Sequence, residues 1–222
     1  MRKFLKLLSV AAPYDVSDVD TDAIFPARFL LLLDRAGLGQ HAFNDLRNQL
    51  GADGPFVLDQ ATYKSAEILV VGERFGIGSS REHAVWALSD SGIRCIIARS
   101  YGDIFRANCF KNGILPITLG EVDHAQVLVA AEQAIPIEID LETTCIILPG
   151  GEIIEFDVGD QQRRALMLGQ DEIATILDED AEAIAAFEAQ QKQNAPWLHL
   201  TAEQLSSFGM RGQGDPEKGP KP

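Results

Sequence analysis

The sequence predicts an α/β domain, and three observations carry that prediction. Three runs rich in branched residues and bounded by turn formers, at 67–71, 93–98 and 114–118, have strand character. Helix-like stretches separate them, so the centre of the chain alternates strand and helix. Downstream, Ile135, Ile137, Ile139 and Leu141 alternate with polar residues, as an exposed-face strand requires.

Taken in order, the chain starts with Arg2, Lys3 and Lys6 around a short apolar run. The segment 7–12 is shorter than an export signal and holds Ser9, and Pro13, Tyr14 and Asp15 offer no small-residue cleavage site, so it is predicted as the first strand. After the run at 67–71 comes a glycine-rich loop, then a helix over about 82–91 closed by Gly92. The pattern repeats after 98, with a short helix at about 103–110 ended by Asn112 and Gly113. Ile154, Phe156 and Val158 alternate after the turn Pro149, Gly150, Gly151, which predicts an antiparallel hairpin with the strand at 135–141. Ile173, Ile176 and Leu177 recur at helical spacing, as do Ala181, Ile184, Ala185 and Phe187 in a stretch reaching about Gln191. From Gly209 the composition turns to Gly, Pro, Lys and Glu, the signature of a disordered tail. No internal repeat is found.

Length and charge bound the function. With 222 residues and 46% hydrophobic content, the chain can bury one large core, with a tail. A formal charge of −14 repels phosphate backbones and acidic lipid, so neither nucleic acid nor membrane is an expected partner. No apolar stretch approaches the roughly 20 residues that span a bilayer. The three cysteines, Cys95, Cys109 and Cys145, form neither a disulfide framework nor a C-x-x-C knuckle, which fits a reducing, cytoplasmic setting.

The densest chemistry lies in FGIGSSREH, residues 75–83, between a buried strand and a helix start. Two glycines allow a tight turn, two hydroxyls follow, and the free N–H groups of a helix N-terminus favour negative charge. The segment is neither a dinucleotide fingerprint, whose third glycine would fall at Arg81, nor a P-loop. Ser79 with Glu82 also has the form of a capping box that merely starts a helix, a routine arrangement. Arg81 shifts the balance toward chemistry: two serines and a guanidinium together can grip a carboxylate and ease ionisation of a serine. His83 falls inside the helix, where a packed histidine is more usual than a base, and is left out of the site.

The stretches VDTDAIFPARFL, GERFGIGSSREHAVWAL and SYGDIFRANCFKNGILPI, in that order, resemble the aconitase superfamily, most closely its 3-isopropylmalate dehydratase small-subunit family and the equivalent mobile domain of aconitase. The likeness runs from about Lys3 to about Gln191 and includes RAGLG at 35–39, FND at 43–45 and Arg47, as in the long bacterial form. The resemblance implies a swivelling β/β/α domain with a mixed sheet or barrel-like core and C-terminal helices, spanning 1–200, with a C-terminal extension at 201–222. It implies a hydro-lyase of two chains, in which a 4Fe–4S cluster belongs to an iron–sulfur large subunit and this chain binds none. The scattered cysteines agree with that division.

Carried over residue by residue, the resemblance makes Ser79 the catalytic base and acid, and Ser80 and Arg81 the ligands of a substrate carboxylate. Arg35 is the candidate second guanidinium, with a solvated loop charge as an equal alternative. Asp20, Thr21 and Asp22 take a structural role, with at most a contact to Arg81. Ile77, Val85 and Ala27 depart from the family pattern, where cysteine, proline and lysine are common. The apolar run Phe29, Leu30, Leu31, Leu32, Leu33 is unusual in the family's recognition loop and leaves the alkyl group open. The implied reaction is the isomerisation of 2- and 3-isopropylmalate in leucine biosynthesis. The alternatives are a methyl- or dimethylmalate dehydratase small subunit and a non-catalytic anion-binding regulatory subunit.

Overall fold

The first apolar run, expected as one strand, is two strands in different sheets: β1, Lys6–Ser9, and β2, Ala11–Tyr14. The computed structural model, which describes residues 1–32, 34–50, 54–202 and 204–206, shows how the run turns. The Ser9 hydroxyl donates to the Val10 carbonyl at 2.8 Å and accepts from the Glu67 N–H at 3.0 Å, satisfying backbone groups where the ladder changes sheets.

The three expected central strands form, as β3, Ile68–Val71, β4, Cys95–Ala98, and β5, Leu115–Thr118. With β2 they make an all-parallel sheet in the order β2-β3-β4-β5. Pro13 and Pro116 lie in its two edge strands, where a missing N–H need cost no ladder bond. Successive residues feed two cores: Leu69, Val71, Ile96 and Ala98 face one, and Ile68, Val70, Cys95 and Ile97 the other. Burial on both faces is why these strands are continuous apolar runs.

The first core is covered by short helices and loops. They are α1, Thr21–Ile24, α2, Asn44–Gln49, α3, Glu82–Asp90, and α4, Asp103–Lys111, of which α3 and α4 follow their sequence-predicted limits closely. The second core is closed by α5, Glu121–Glu132, by α6, Asp160–Leu168, and by a second sheet. That sheet is antiparallel, in the order β1-β6-β7-β8, with β6 at Ile137–Asp140, β7 at Cys145–Ile147 and β8 at Ile153–Glu155.

The predicted hairpin is therefore corrected. The strands at 137–140 and 153–155 do not pair with each other, because β7 lies between them, and the Pro149, Gly150, Gly151 turn joins β7 to β8. Three residues are too few for a period-2 pattern to show. The mixture of parallel and antiparallel strands is realised as two separate sheets, with the parallel sheet contributing to both cores.

The chain divides into two units, Met1–Ile173 and Ala174–Pro222. In the second, the end of α7, Glu172–Glu179, is followed by α8, Ala181–Asn194, where amphipathic helices were expected. The tail expected to be disordered from Gly209 lies outside the described residues. No helix among the described residues is long and apolar enough to cross a membrane.

Candidate functional site

The loops that leave the carboxyl ends of β2 and β3 run side by side, at the end of a parallel sheet where ligand sites of α/β folds gather. Each passes through a non-glycine residue in the left-handed region, Asp18 at φ 61° and Arg74 at φ 52°. These two residues form an ion pair with each other. Beyond them pairing resumes in the register of the strands: Tyr14 is opposite Val71, and Asp20 opposite Ile77.

The DTD segment then clamps the glycine-rich loop. Gly76 N–H donates to the Val19 carbonyl at 2.7 Å, and Thr21 N–H to that of Ile77 at 2.9 Å. The buried Thr21 hydroxyl donates to the Ser79 carbonyl at 2.9 Å. Asp20 caps α1, accepting from Ala23 N–H at 2.6 Å. Gly76, at φ 74°, must be glycine because a Cβ there would lie 2.2 Å from Cγ of Phe105. Gly102, on the loop after β4, approaches so closely that its Cβ would stand 2.5 Å from the Gly76 carbonyl oxygen.

The capping box does not form. Helix α3 starts later than a Ser79 cap would give, with Arg81 at the N-cap and no side-chain cap bond. The Glu82 carboxylate, which would have reached back to Ser79, instead accepts from Nδ2 of Asn112 at 2.8 Å. Ser79 and Ser80 are exposed, and the Ser79 hydroxyl has no hydrogen-bond partner among the described residues.

Arg81 is mostly buried, its side chain 18% exposed. Nη1 pairs with Asp22 and lies 3.4 Å from the Phe25 carbonyl, while Nε and Nη2 make no hydrogen bond among the described residues. Asp22 also accepts from Ala27 N–H at 2.9 Å, and the guanidinium first, the N–H second, hold its carboxyl below the usual range. The expected contact between DTD and Arg81 is thus present, and it leaves one edge of the guanidinium open. Together the open serines, this guanidinium and the uncapped start of α3 can receive an anion.

Arg35 lies elsewhere. Its guanidinium covers the Trp86 ring at 4.3 Å, and Nη1 is 3.4 Å from Oδ1 of Asn112. Trp86 is four residues along α3 from Glu82, about one turn. Ser79, Ser80 and Arg81 are consecutive residues leading into α3, and Arg35 bonds none of them: it meets Trp86 and Asn112 instead. Of the leucine run, Phe29 packs on Phe25 at 5.9 Å and His41 at 4.2 Å, whereas Leu31 is 90% and Leu32 41% exposed. Leu33 lies outside the described residues. His83 stacks on Phe25 at 5.9 Å, as its place in the helix suggests.

Two residues near this site were given no functional role from sequence. Trp86 and Asn112 tie Arg35 to α3; in the sequence Trp86 lies in the GERFGIGSSREHAVWAL stretch and Asn112 ends the short helix before Gly113. Two of the three thiols are poorly disposed to ligate iron. Cys95 and Cys109 are fully buried, and burial pushes both thiols up, away from the thiolate form that ligates iron. Among the described residues no group of three or more His, Cys, Asp or Glu could hold a metal ion.

Comparison with known proteins gives consistent matches. The family described as the aconitase C-terminal domain matches residues 1–122, and the family described as the C-terminal domain of the 3-isopropylmalate dehydratase small subunit matches 179–201. A protein of Rhodospirillum centenum named 3-isopropylmalate dehydratase small subunit is 48% identical over 201 residues, covering 89% of this chain and 98% of that protein. A relative of the same name from Mesorhizobium japonicum is 45% identical over 201 residues, covering 89% of this chain and all of that one. Among solved structures, the 3-isopropylmalate dehydratase (leuD) of Methanocaldococcus jannaschii is similar, with a TM-score of 0.62 and 25% identity, covering 83% of this chain and 99% of that one.

Proposed function

Because this chain belongs to the family of 3-isopropylmalate dehydratase small subunits, we propose that it supplies the proton-transfer and carboxylate-binding groups of a hydro-lyase that interconverts 2- and 3-isopropylmalate, a step of leucine biosynthesis. The observation that carries this reading is that the Ser79 hydroxyl, two residues before Arg81, makes no hydrogen bond among the described residues, where a helix cap would have consumed it.

In the dehydration step, ionised Ser79 takes the proton from the carbon next to the one bearing the hydroxyl, and an alkene forms as hydroxide departs. In hydration, Ser79 returns its proton to the other carbon, so the hydroxyl ends one carbon away. Ser80 and the Nε and Nη2 edge of Arg81 hold a substrate carboxylate, and the positive potential at the start of α3 favours the ionised serine. Asp22 fixes the guanidinium plane from its other side. Arg35 is assigned the second carboxylate, which requires it to leave Trp86. The 4Fe–4S cluster of a large subunit supplies Lewis-acid assistance to the leaving hydroxyl when the two chains are joined. The swivel domain comprises 1–200, with 201–222 as an extension, and the enzyme works in the cytoplasm.

The test is reconstitution with the anaerobically prepared large subunit. The isolated chain is expected to be inactive. In the assembled enzyme, Ser79→Ala is expected to lower kcat by about 10²–10⁴, with little change in thermal midpoint, since Ser79 caps nothing. Turnover by the isolated chain, or near-normal kcat in a folded, assembled Ser79→Ala enzyme, would sink the assignment.

A further inference from the structure

Asn112, the C-cap residue of α4, uses its whole side-chain amide. Nδ2 donates to Oε1 of Glu82 at 2.8 Å and to the Asn108 carbonyl at 2.9 Å. Oδ1 accepts from Nε1 of Trp86 at 3.0 Å and lies 3.4 Å from Nη1 of Arg35. An indole N–H can only donate, so the amide oxygen must face Trp86 and the amino group must face Glu82. The orientation of Asn112 is therefore dictated by its surroundings.

What this achieves is visible at the start of α3. Glu82 is the first helical residue, next to Arg81, and carries the one carboxylate of the helix's first turn. A free carboxylate at that position is drawn to the positive end of the helix and to the neighbouring guanidinium, by its own side chain or by closing the box with Ser79. The first move would occupy the guanidinium that is to hold a substrate carboxylate, and the second would consume the Ser79 hydroxyl. The bond from Asn112 draws Glu82 toward α4 instead.

We propose that Asn112 is a positioning residue that withholds the Glu82 carboxylate from the anion site at the start of α3. This rests on the reading that Arg81 and Ser80 bind a substrate carboxylate there. Asn112 touches neither the substrate nor the reacting atoms; it acts through Glu82.

The experiment uses the assembled two-chain enzyme and isopropylmalate. Asn112→Ala is expected to raise KM roughly tenfold, the scale of one competing carboxylate near a surface site, with kcat changed by less than about threefold. Glu82→Gln alone should stay close to the parent enzyme, because a glutamine oxygen still accepts from Asn112. The deciding variant is the double change: adding Glu82→Gln to Asn112→Ala should restore KM to within about twofold, since the competing charge is gone. A purely structural role for Asn112 would show no such rescue. If Asn112→Ala impairs assembly, the isosteric Asn112→Asp takes its place. It sets a carboxylate against Glu82, should raise KM at least as much, and should also recover with Glu82→Gln. An unchanged KM in the single Asn112 variants, or a raised KM that persists in the double variants, overturns the proposal. Arg81→Lys in the same series separates the two levels. An unaltered KM there removes the carboxylate site itself, whereas a raised KM with no rescue by Glu82→Gln removes only the role of Asn112.

Discussion

The two sheets of the first unit have the same number of strands and share one core, yet they do opposite work. From β6 to β8 the antiparallel sheet returns on itself through tight turns, at Asp140, which accepts from the N–H groups of Glu142 and Thr143, and at Gly150 and Gly151. These two connections end where the next strand begins. The parallel sheet cannot be closed that way, because each return needs a crossover. The chain must leave each carboxyl end, and after β2 and β3 the departing loops are DTD and GIGSSR. The lesson is that parallel pairing creates free loop ends at one rim and so gathers the candidate site there, while the antiparallel sheet supports the core beneath.

That contrast breaks first in a core substitution. Ile146, fully buried in β7, should cost about 2–5 kcal/mol of stability on replacement by alanine. The folded, assembled variant should keep its kcat/KM, measured well below its unfolding temperature. A roughly tenfold loss of kcat/KM there would mean that the antiparallel sheet steers the site. The converse change is Gly102→Ala, whose added methyl meets the Gly76 carbonyl and comes 3.1 Å from Cα of Ile77. Overpacking of this kind costs about 1–3 kcal/mol, and here the displaced backbone leads to Ser79. A fall of at least about tenfold in kcat/KM with only a modest drop in thermal midpoint is expected; equal losses would deny the separation.

The smallest effect is on pH dependence. Asp140 is held below its ordinary value of 3.8 first by Lys6, at 2.8 Å, and then by the Thr143 and Glu142 N–H groups. A depressed carboxyl contributes stability that is complete above its unfolded value and is lost as pH falls through the lower folded one. The Lys6 ammonium, raised above 10.5, contributes below that value and loses its part as pH rises beyond it. Unfolding curves for Asp140→Asn should therefore show less acid loss below about pH 4 and no change in KM. Asp22 has the same downward direction but stands at Arg81, so Asp22→Asn should change KM as well. If both variants behave alike, the rim and the support are not distinct.

Much of this was legible from residues. The parallel strands were visible because burial on both faces makes them unbroken apolar runs, and the site loop because GSSR joins turn formers, hydroxyls and a cation. Helix α5 was not, since its buried face is made of His124, Val127, Ala130 and Ala131, and Val122 and Val129 point outward, which erases an apolar stripe. The turn of chain at Ser9 was hidden because 7–12 keeps apolar character through the change of sheet. The capping box failed for a tertiary reason: Asn112, thirty positions away in sequence, took the carboxylate that local spacing assigned to Ser79.

The edge prolines have a consequence beyond geometry. The open rim of a sheet is the natural template for intermolecular fibre growth between copies of one chain. Pro13 on β2 and Pro116 on β5 each remove a donor from the strands where such growth would start, and Lys6 puts a charge on the edge strand β1 of the other sheet. The same prolines that let the parallel sheet end cleanly thus make both of its edges poorer templates for pairing with another copy.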